Sequence, residues 1–294
     1  KRQGKWGSPQ IVPFGNIEIH PATSALHYGQ SIFEGLKAQR NEKGEVVVFR
    51  PEMNAKRFRE SAERMCMVPV PEEIFLEGVR ALIELDREWV PTKDNTSLYI
   101  RPFLFATDDY VGIRPSEKYK FMIINSPVGA YYSEPVKVKI ETYYTRAAEG
   151  GVGRAKAAGN YAASLYPAKL GQEKGYRQVL WTDAKTHTFI EESGTMNVMF
   201  MINDVLITPS EDRDFLHRRH PLRKGQRPSA RARLCRGLSS QGRHPQIPRN
   251  RSGRTKPVGG RMFRLRQACL RRPWPRSRRL GCLPRLPRTA HRAG

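Results

Sequence analysis

Residues 150–161 read Gly150-Gly151-Val152-Gly153-Arg154-Ala155-Lys156-Ala157-Ala158-Gly159-Asn160-Tyr161, a glycine-rich loop that opens into a helix from about Tyr161. Small residues on both sides of Lys156 let the backbone come close to a ligand. The amides at the start of the following helix favour anions. A Walker-type phosphate loop is excluded, because Ala157 stands where Ser or Thr would meet magnesium and the glycine spacing differs. The dinucleotide glycine pattern does not fit either. A lysine among small residues can act as a Schiff-base nucleophile, whereas most loop lysines are solvated charges. Spacing alone leaves both readings open.

Outward from this loop the chain has the texture of an α/β protein. Residues 46–49 follow the turn-like Asn41-Glu42-Lys43-Gly44 and read as a strand. Pro51 suits a first helical turn, and a helix runs on through residues 53–65. A second helix follows Pro71, with Phe75, Val79, Leu82 and Ile83 at helical spacing. Residues 97–106 and 119–125 are β-branched and aromatic enough to be strands. The Pro and Gly of residues 126–132 mark a connection. Residues 136–144 alternate Val136, Val138 and Ile140 with Lys137, Lys139 and Glu141, a strand pattern. Short strands at 178–182, 197–202 and 205–208 flank or follow Glu191-Glu192-Ser193-Gly194-Thr195. The organisation expected is a small N-terminal α/β domain over 1–125, a linker over 126–135, and the first part of a larger domain over 136–212.

Charge divides the chain at the same place. Of 52 Lys+Arg and 28 Asp+Glu, residues 213–294 hold 25 basic residues and a single acid, Asp214, which leaves 27 of each in residues 1–212. The net charge of +24 therefore describes a neutral globular part joined to a very basic segment. That segment is dominated by Arg, Pro, Gly and Ser without a sustained period of 2 or 3.6, and its composition does not supply a core. Only Cys66 precedes residue 213, so no disulfide framework is available to the globular part, which reads as intracellular and cytoplasmic. No apolar run reaches the roughly 18 residues of a membrane span. Lys1 enters directly into patterned sequence without a methionine, and the chain is expected to lack its own N-terminus.

The segment 153–161 resembles the cofactor-lysine region of branched-chain amino-acid aminotransferases, of pyridoxal-phosphate fold type IV. Five further segments match in order: His27-Tyr28-Gly29-Gln30-Ser31-Ile32-Phe33-Glu34-Gly35-Leu36-Lys37; Phe49-Arg50-Pro51 with Asn54 and Arg57; Ser97-Leu98-Tyr99-Ile100-Arg101-Pro102; Val128-Gly129-Ala130-Tyr131; and Glu192-Ser193-Gly194-Thr195-Met196-Asn197. The resemblance implies a two-domain α/β enzyme that transaminates leucine, isoleucine and valine with 2-oxoglutarate. Lys156 would carry pyridoxal 5′-phosphate covalently and then shuttle a proton. Glu192 would face the pyridine nitrogen and keep it protonated, while the adjacent Glu191 reads as a solvated loop acid. Tyr161 would hydrogen-bond the phenolic oxygen. Arg57 would bind the phosphate, and Arg146 would stand near the cofactor. Tyr28, Phe33, Tyr99 and Thr195 would form the substrate pocket, with Arg101 helping Tyr99 orient the carboxylate. The family lends Tyr28 across a dimer interface, which implies a homodimer. No metal is called for. D-amino-acid transamination or a related lyase is the nearest alternative activity, and an inactive product of a damaged gene is an alternative of another kind.

In this family the large domain continues with a Thr-Gly-Ile/Val-Thr-Arg segment and a Phe-Gly-Ser-Gly-Thr-Ala segment, neither of which is present here. Read one nucleotide later, the codons of His217-Arg218-Arg219-His220-Pro221 can encode Thr-Gly-Val-Thr-Arg. By the same shift Arg261-Met262-Phe263-Arg264-Leu265-Arg266 can encode Glu-Cys-Phe-Gly-Ser-Gly, although Gln267 and Ala268 do not then become Thr-Ala. Two motifs in the right order favour a frameshift near residue 212 and a large domain left incomplete. The rival is a basic arm that binds nucleic acid, against which stand the scattered Trp274, cysteines and prolines.

Overall fold

The computed structural model describes residues 5–209, except 131, 133 and 195, together with residues 261–268. The chain runs β1 (Lys5–Trp6), β2 (Gln10–Pro13), α1 (Ser24–Tyr28), β3 (Ser31–Phe33), β4 (Leu36–Arg40), β5 (Val46–Val48), α2 (Pro51–Arg64), α3 (Glu72–Leu85), β6 (Ser97–Ala106) and β7 (Tyr119–Val128). There follow β8 (Val138–Ile140), α4 (Ala158–Glu173), β9 (Gln178–Thr182), β10 (Ile190–Ser193), β11 (Phe200–Ile202), β12 (Val205–Ile207) and β13 (Arg261–Ala268).

The first sheet is built on the antiparallel pair β6–β7, which stays in register from Ser97↔Val128 to Ala106↔Tyr119. β3 and β4 both pair with β6, at Ile32↔Leu104 and Leu36↔Ile100. Between them, Pro102 of β6 has no N–H to return to the ladder. Glu34 N–H still donates to the Pro102 carbonyl at 2.8 Å, so Glu34 and Gly35 cross the break without losing register. Helices α2 and α3 cover one face. Phe58, Phe75 and Phe121 meet there with ring centroids 5.3, 5.5 and 6.1 Å apart, and all three are buried. Each such ring contributes roughly 1.5–3 kcal/mol through burial alone.

The second sheet has the order β10-β9-β8, with β8 and β9 parallel and β9 and β10 antiparallel. α4 packs on β9. β11 and β12 form a separate hairpin through Asn203 and Asp204, both at positive φ, where Asn and Asp are the side chains that tolerate it best.

The α/β fold class agrees with the sequence reading, which left β1–β4, α1 and β10 unassigned and placed a strand over 197–202 where only Phe200–Ile202 pair; further differences follow. β7 continues three residues past the expected boundary at Asn125, because its partner β6 extends to Ser97. Of residues 136–144 only 138–140 pair, since Glu141 Oε1 accepts the amides of Thr142, Tyr143 and Tyr144 and turns the chain. α4 begins at Ala158, three residues before the expected Tyr161. The largest correction concerns the basic segment, from which no element was expected. β13 pairs with β7 at Met262↔Ile124 through Arg266↔Lys120, and Met262 is buried. Backbone pairing along the edge of β7 asks little of side-chain identity, and residues 261–266 interleave Met, Phe and Leu with Arg over a span too short to show as a period. The remainder of residues 213–294 lies outside the described residues. Among the described residues no helix is long and apolar enough to cross a membrane, and no cluster of His, Cys, Asp and Glu could hold a metal.

Candidate active site

Lys156 is placed by its backbone. Its N–H donates to Ser61 Oγ of α2 at 3.0 Å, and its carbonyl accepts from Phe33 N–H of β3 at 3.1 Å. The glycine loop before it is tied to the same helix. Arg64 donates to the carbonyls of Gly150 and Gly151 at 3.0 Å each, and Arg154 pairs with Glu60 at 3.3 Å. Asn160 closes the loop from the other side, donating to the carbonyls of Val152 at 2.9 Å and Ala155 at 2.8 Å.

The Lys156 side chain returns over the first turn of α4, where Nζ donates to Tyr161 Oη at 2.8 Å. It also lies 5.0 Å from the Phe33 ring centroid, and the Phe33 and Tyr161 rings are 4.7 Å apart. The amine is therefore bracketed by two aromatic rings and hydrogen-bonded to a phenol. Arg101 stacks on Phe33 from beyond, its guanidinium carbon 4.4 Å from the ring centroid. It donates to Tyr99 Oη through Nη2 at 2.8 Å and Nε at 3.3 Å. Because both bonds fall on lone pairs of the phenol, its own hydrogen is left to donate elsewhere. Gly35 faces Tyr99 across the sheet, and a methyl group there would overlap the Tyr99 hydroxyl.

On the other side of Tyr161, a small cavity is lined by Arg146, Asn160, Tyr161, Ser164 and Gly194. Arg146 forms an ion pair with Glu192 and donates to the Gly153 carbonyl at 3.1 Å. Burial lowers the Arg146 pKa, opposed by the nearby Tyr161 and Glu191. The β9–β10 ladder slips between Ile190 and Glu192, so Glu191 occupies a bulge. It is half-buried, and burial followed by repulsion from Asp183 raises its pKa while Arg146 opposes the rise. Glu191 is thus not the solvated acid expected from sequence.

Arg57 lies on the α2 face that carries Ser61 and Arg64. Its Nε and Nη2 donate to Glu34 Oε1 and Oε2 at 2.6 and 2.9 Å. Glu34 is 0% exposed whereas the Arg57 side chain is 51% exposed. Tyr28, at the end of α1, is exposed. Thr195 lies outside the described residues. Lys156, Tyr161, Phe33, Tyr99 and Arg101 form one connected group. Glu192 and Arg146 join it through the cavity beside Tyr161. Sequence reasoning gave no role to Glu34, Ser61 or Arg64. Only Glu34 left a signal, as an acid at a strand position flanked by Phe33 and Gly35.

The donor set suits a phosphorylated pyridine aldehyde: a primary amine for the carbonyl carbon, a phenol for a ring oxygen, a carboxylate for a ring nitrogen and guanidinium groups for a phosphate. Residues 31–218 match the sequence model of the amino-transferase class IV family, and the chain belongs to that family. It is 49% identical over 209 residues to branched-chain-amino-acid transaminase 1 of Bacillus subtilis (strain 168), covering 70% of this chain and 59% of that protein. A probable branched-chain-amino-acid aminotransferase of Staphylococcus aureus (strain MRSA252) is 50% identical over 208 residues, with 69% and 58% covered. Among solved structures, a T.th. branched-chain amino acid aminotransferase with pyridoxamine 5′-phosphate aligns with a TM-score of 0.57 and 28% identity, over 70% of this chain and 68% of that one. The chain thus spans less than two thirds of the length of the curated relatives it matches.

Proposed function

We propose that residues 1–212 carry the cofactor site of a pyridoxal-phosphate-dependent transaminase that moves amino groups between branched-chain L-amino acids and 2-oxoglutarate. The observation that carries this reading is the Lys156–Tyr161 hydrogen bond, bracketed by Phe33 and adjoining the Arg146–Glu192 pair. The names of the relatives, and the pyridoxamine 5′-phosphate in the solved structure that aligns with this chain, support it.

When bound, the cofactor supplies an electron sink adjoining the substrate Cα. Lys156 Nζ anchors it and, once displaced by substrate, takes the proton from Cα. Tyr161 Oη holds the ring's phenolic oxygen. The Glu192 carboxylate would hold the proton of the ring nitrogen, with Arg146, paired to Glu192, standing near the cofactor. Arg57 binds the phosphate. Phe33 and Tyr99 wall an aliphatic side chain, with Thr195 completing the pocket, while the Tyr99 hydroxyl, held by Arg101, takes the substrate carboxylate. Tyr28 reaches the pocket of a second copy in a homodimer, which gives its exposed ring a use. The basic residues after 212 have no role in this chemistry.

Incubation of the chain with pyridoxal phosphate, reduction with borohydride and peptide mapping tests the assignment. The label is expected on Lys156, and a label on Lys169 or another lysine overturns it. In a chain whose reading frame is restored after residue 212, L-leucine, L-isoleucine and L-valine should be preferred. D-alanine turning over clearly faster than L-leucine would favour the D-amino-acid alternative.

A further inference from the structure

Glu34, between Phe33 and Gly35 in the first sheet, is a fully buried carboxylate, and four donors reach its two oxygens. Arg57 supplies two, Asn54 Nδ2 donates to Oε2 at 2.8 Å, and Gly35 N–H donates to the same oxygen at 3.2 Å. A buried charge persists only when it is paired and hydrogen-bonded on every side, and this one is. Its backbone is equally fixed, since Glu34 N–H is held by the Pro102 carbonyl at the gap between β3 and β4. The immobile partner is thus the carboxylate, and the half-exposed partner is the guanidinium. An arginine on a helix surface ordinarily samples many rotamers, and fixing it costs side-chain entropy. A bidentate pair settles the plane of the guanidinium before any ligand arrives.

We infer that Glu34 is a positioning residue, which holds the Arg57 guanidinium in the orientation that receives the 5′-phosphate and thereby sets the preference for pyridoxal phosphate over unphosphorylated pyridoxal. The inference rests on the proposed cofactor. Glu34 acts at one remove, through Arg57. Its loss should therefore be felt by ligands that carry a phosphate and not by the ring or the aldehyde. The competing picture, in which Glu34 neutralises Arg57 and repels the phosphate, leads to the opposite sign.

The test measures borohydride-trapped incorporation at Lys156 against concentration, for pyridoxal phosphate and for pyridoxal, in the full chain and in Glu34→Gln. Half-saturation by pyridoxal phosphate should rise about tenfold or more, in line with the loss of hydrogen bonds between charged groups, while half-saturation by pyridoxal stays within about twofold. Asn54→Ala, which removes one donor to Glu34 without touching Arg57, should move the same ratio in the same direction by a few-fold, and it decides the matter if Glu34→Gln does not fold. An equal loss for both aldehydes makes Glu34 a purely structural residue and overturns the inference, as does tighter pyridoxal phosphate capture by the variant. Absence of label on Lys156 in the parent chain overturns the proposed cofactor and this inference together. Normal labelling of the parent with an unchanged ratio in both variants overturns this inference alone.

Discussion

The Lys156 ammonium donates to the Tyr161 hydroxyl at 2.8 Å, five residues further along the chain and one helical turn inside α4. A loop residue and a helix residue therefore share one proton-bearing contact, and the start of α4 at Ala158 sets its geometry. In the proposed reaction this contact holds the amine while it is idle and hands the phenol to the cofactor when the amine is in use.

Tyr161→Phe keeps the ring against Phe33 but removes the hydroxyl. Turnover of leucine by the frame-restored chain should fall about 10- to 100-fold, the equivalent of roughly 1.5–3 kcal/mol for a hydrogen bond to a charged group. KM for leucine should change far less. Steady-state kinetics on the purified variant checks this, and an unaltered kcat would remove Tyr161 from the chemistry.

Gly35→Ala places a methyl group against the Tyr99 hydroxyl. Either the Tyr99 ring or the strand must move, at about 1–3 kcal/mol. Because Tyr99 and Arg101 are assigned to the substrate carboxylate, KM for leucine is expected to rise about tenfold while incorporation of pyridoxal phosphate at Lys156 is unchanged. Equal losses in both measurements would mean a general disturbance of the fold.

Asp183 closes the turn between β9 and β10. Although burial alone would raise its pKa, the amides of Phe189, Thr186 and Thr188 and the Thr186 hydroxyl all donate to it and hold it at about 2. The folded value lies below the unfolded one, so the stabilisation is complete above about pH 4 and is lost as the pH falls through about 2. With solvent screening discounted, it amounts to about 1–2 kcal/mol. Asp183→Asn should lower the urea midpoint at pH 7 and match the parent chain near pH 2. A constant difference across that range would contradict the assignment.

Restoring the reading frame after residue 212 should convert a chain with little or no transaminase turnover into an active one. The motive is the charge divide, with 25 basic residues against one acid after residue 212 and 27 of each before it. Both versions, expressed side by side and assayed with leucine and 2-oxoglutarate, decide it. Comparable rates would show that the basic segment as written is functional.

Legibility in the sequence followed the range of the interaction. α2 was readable from Pro51 and an unbroken run after it, and α3 because Phe75, Val79, Leu82 and Ile83 repeat at helical spacing along a single element. The small residues around Lys156 marked it locally as a candidate without deciding its role, and Tyr161 gained a role only through the resemblance. Arg57 and Glu192 gained roles only through the resemblance, since nothing local distinguishes Arg57 from Lys56 or Arg59. The contacts of Ser61 and Arg64 with the lysine loop span 86 to 95 residues and leave no periodic trace. The burial of Glu191 depends on a one-residue slip in a ladder, which a pattern of residue types does not reveal. β13 stayed hidden for a different reason, because its pairing uses backbone groups that every sequence possesses.

The single face of α2 has a consequence for how this stretch can change in length. Arg57, Ser61 and Arg64 lie one and two turns apart on one helix and reach, respectively, the Glu34 carboxylate, the Lys156 amide and the carbonyls of Gly150 and Gly151. Inserting or deleting one residue between 57 and 61 would turn one anchor by about 100° relative to the other and shift it about 1.5 Å along the axis. No adjustment of side chains recovers such a turn. The largely exposed residues 110–113 between β6 and β7 face no such arithmetic, so insertions and deletions should be absorbed there and rejected within α2.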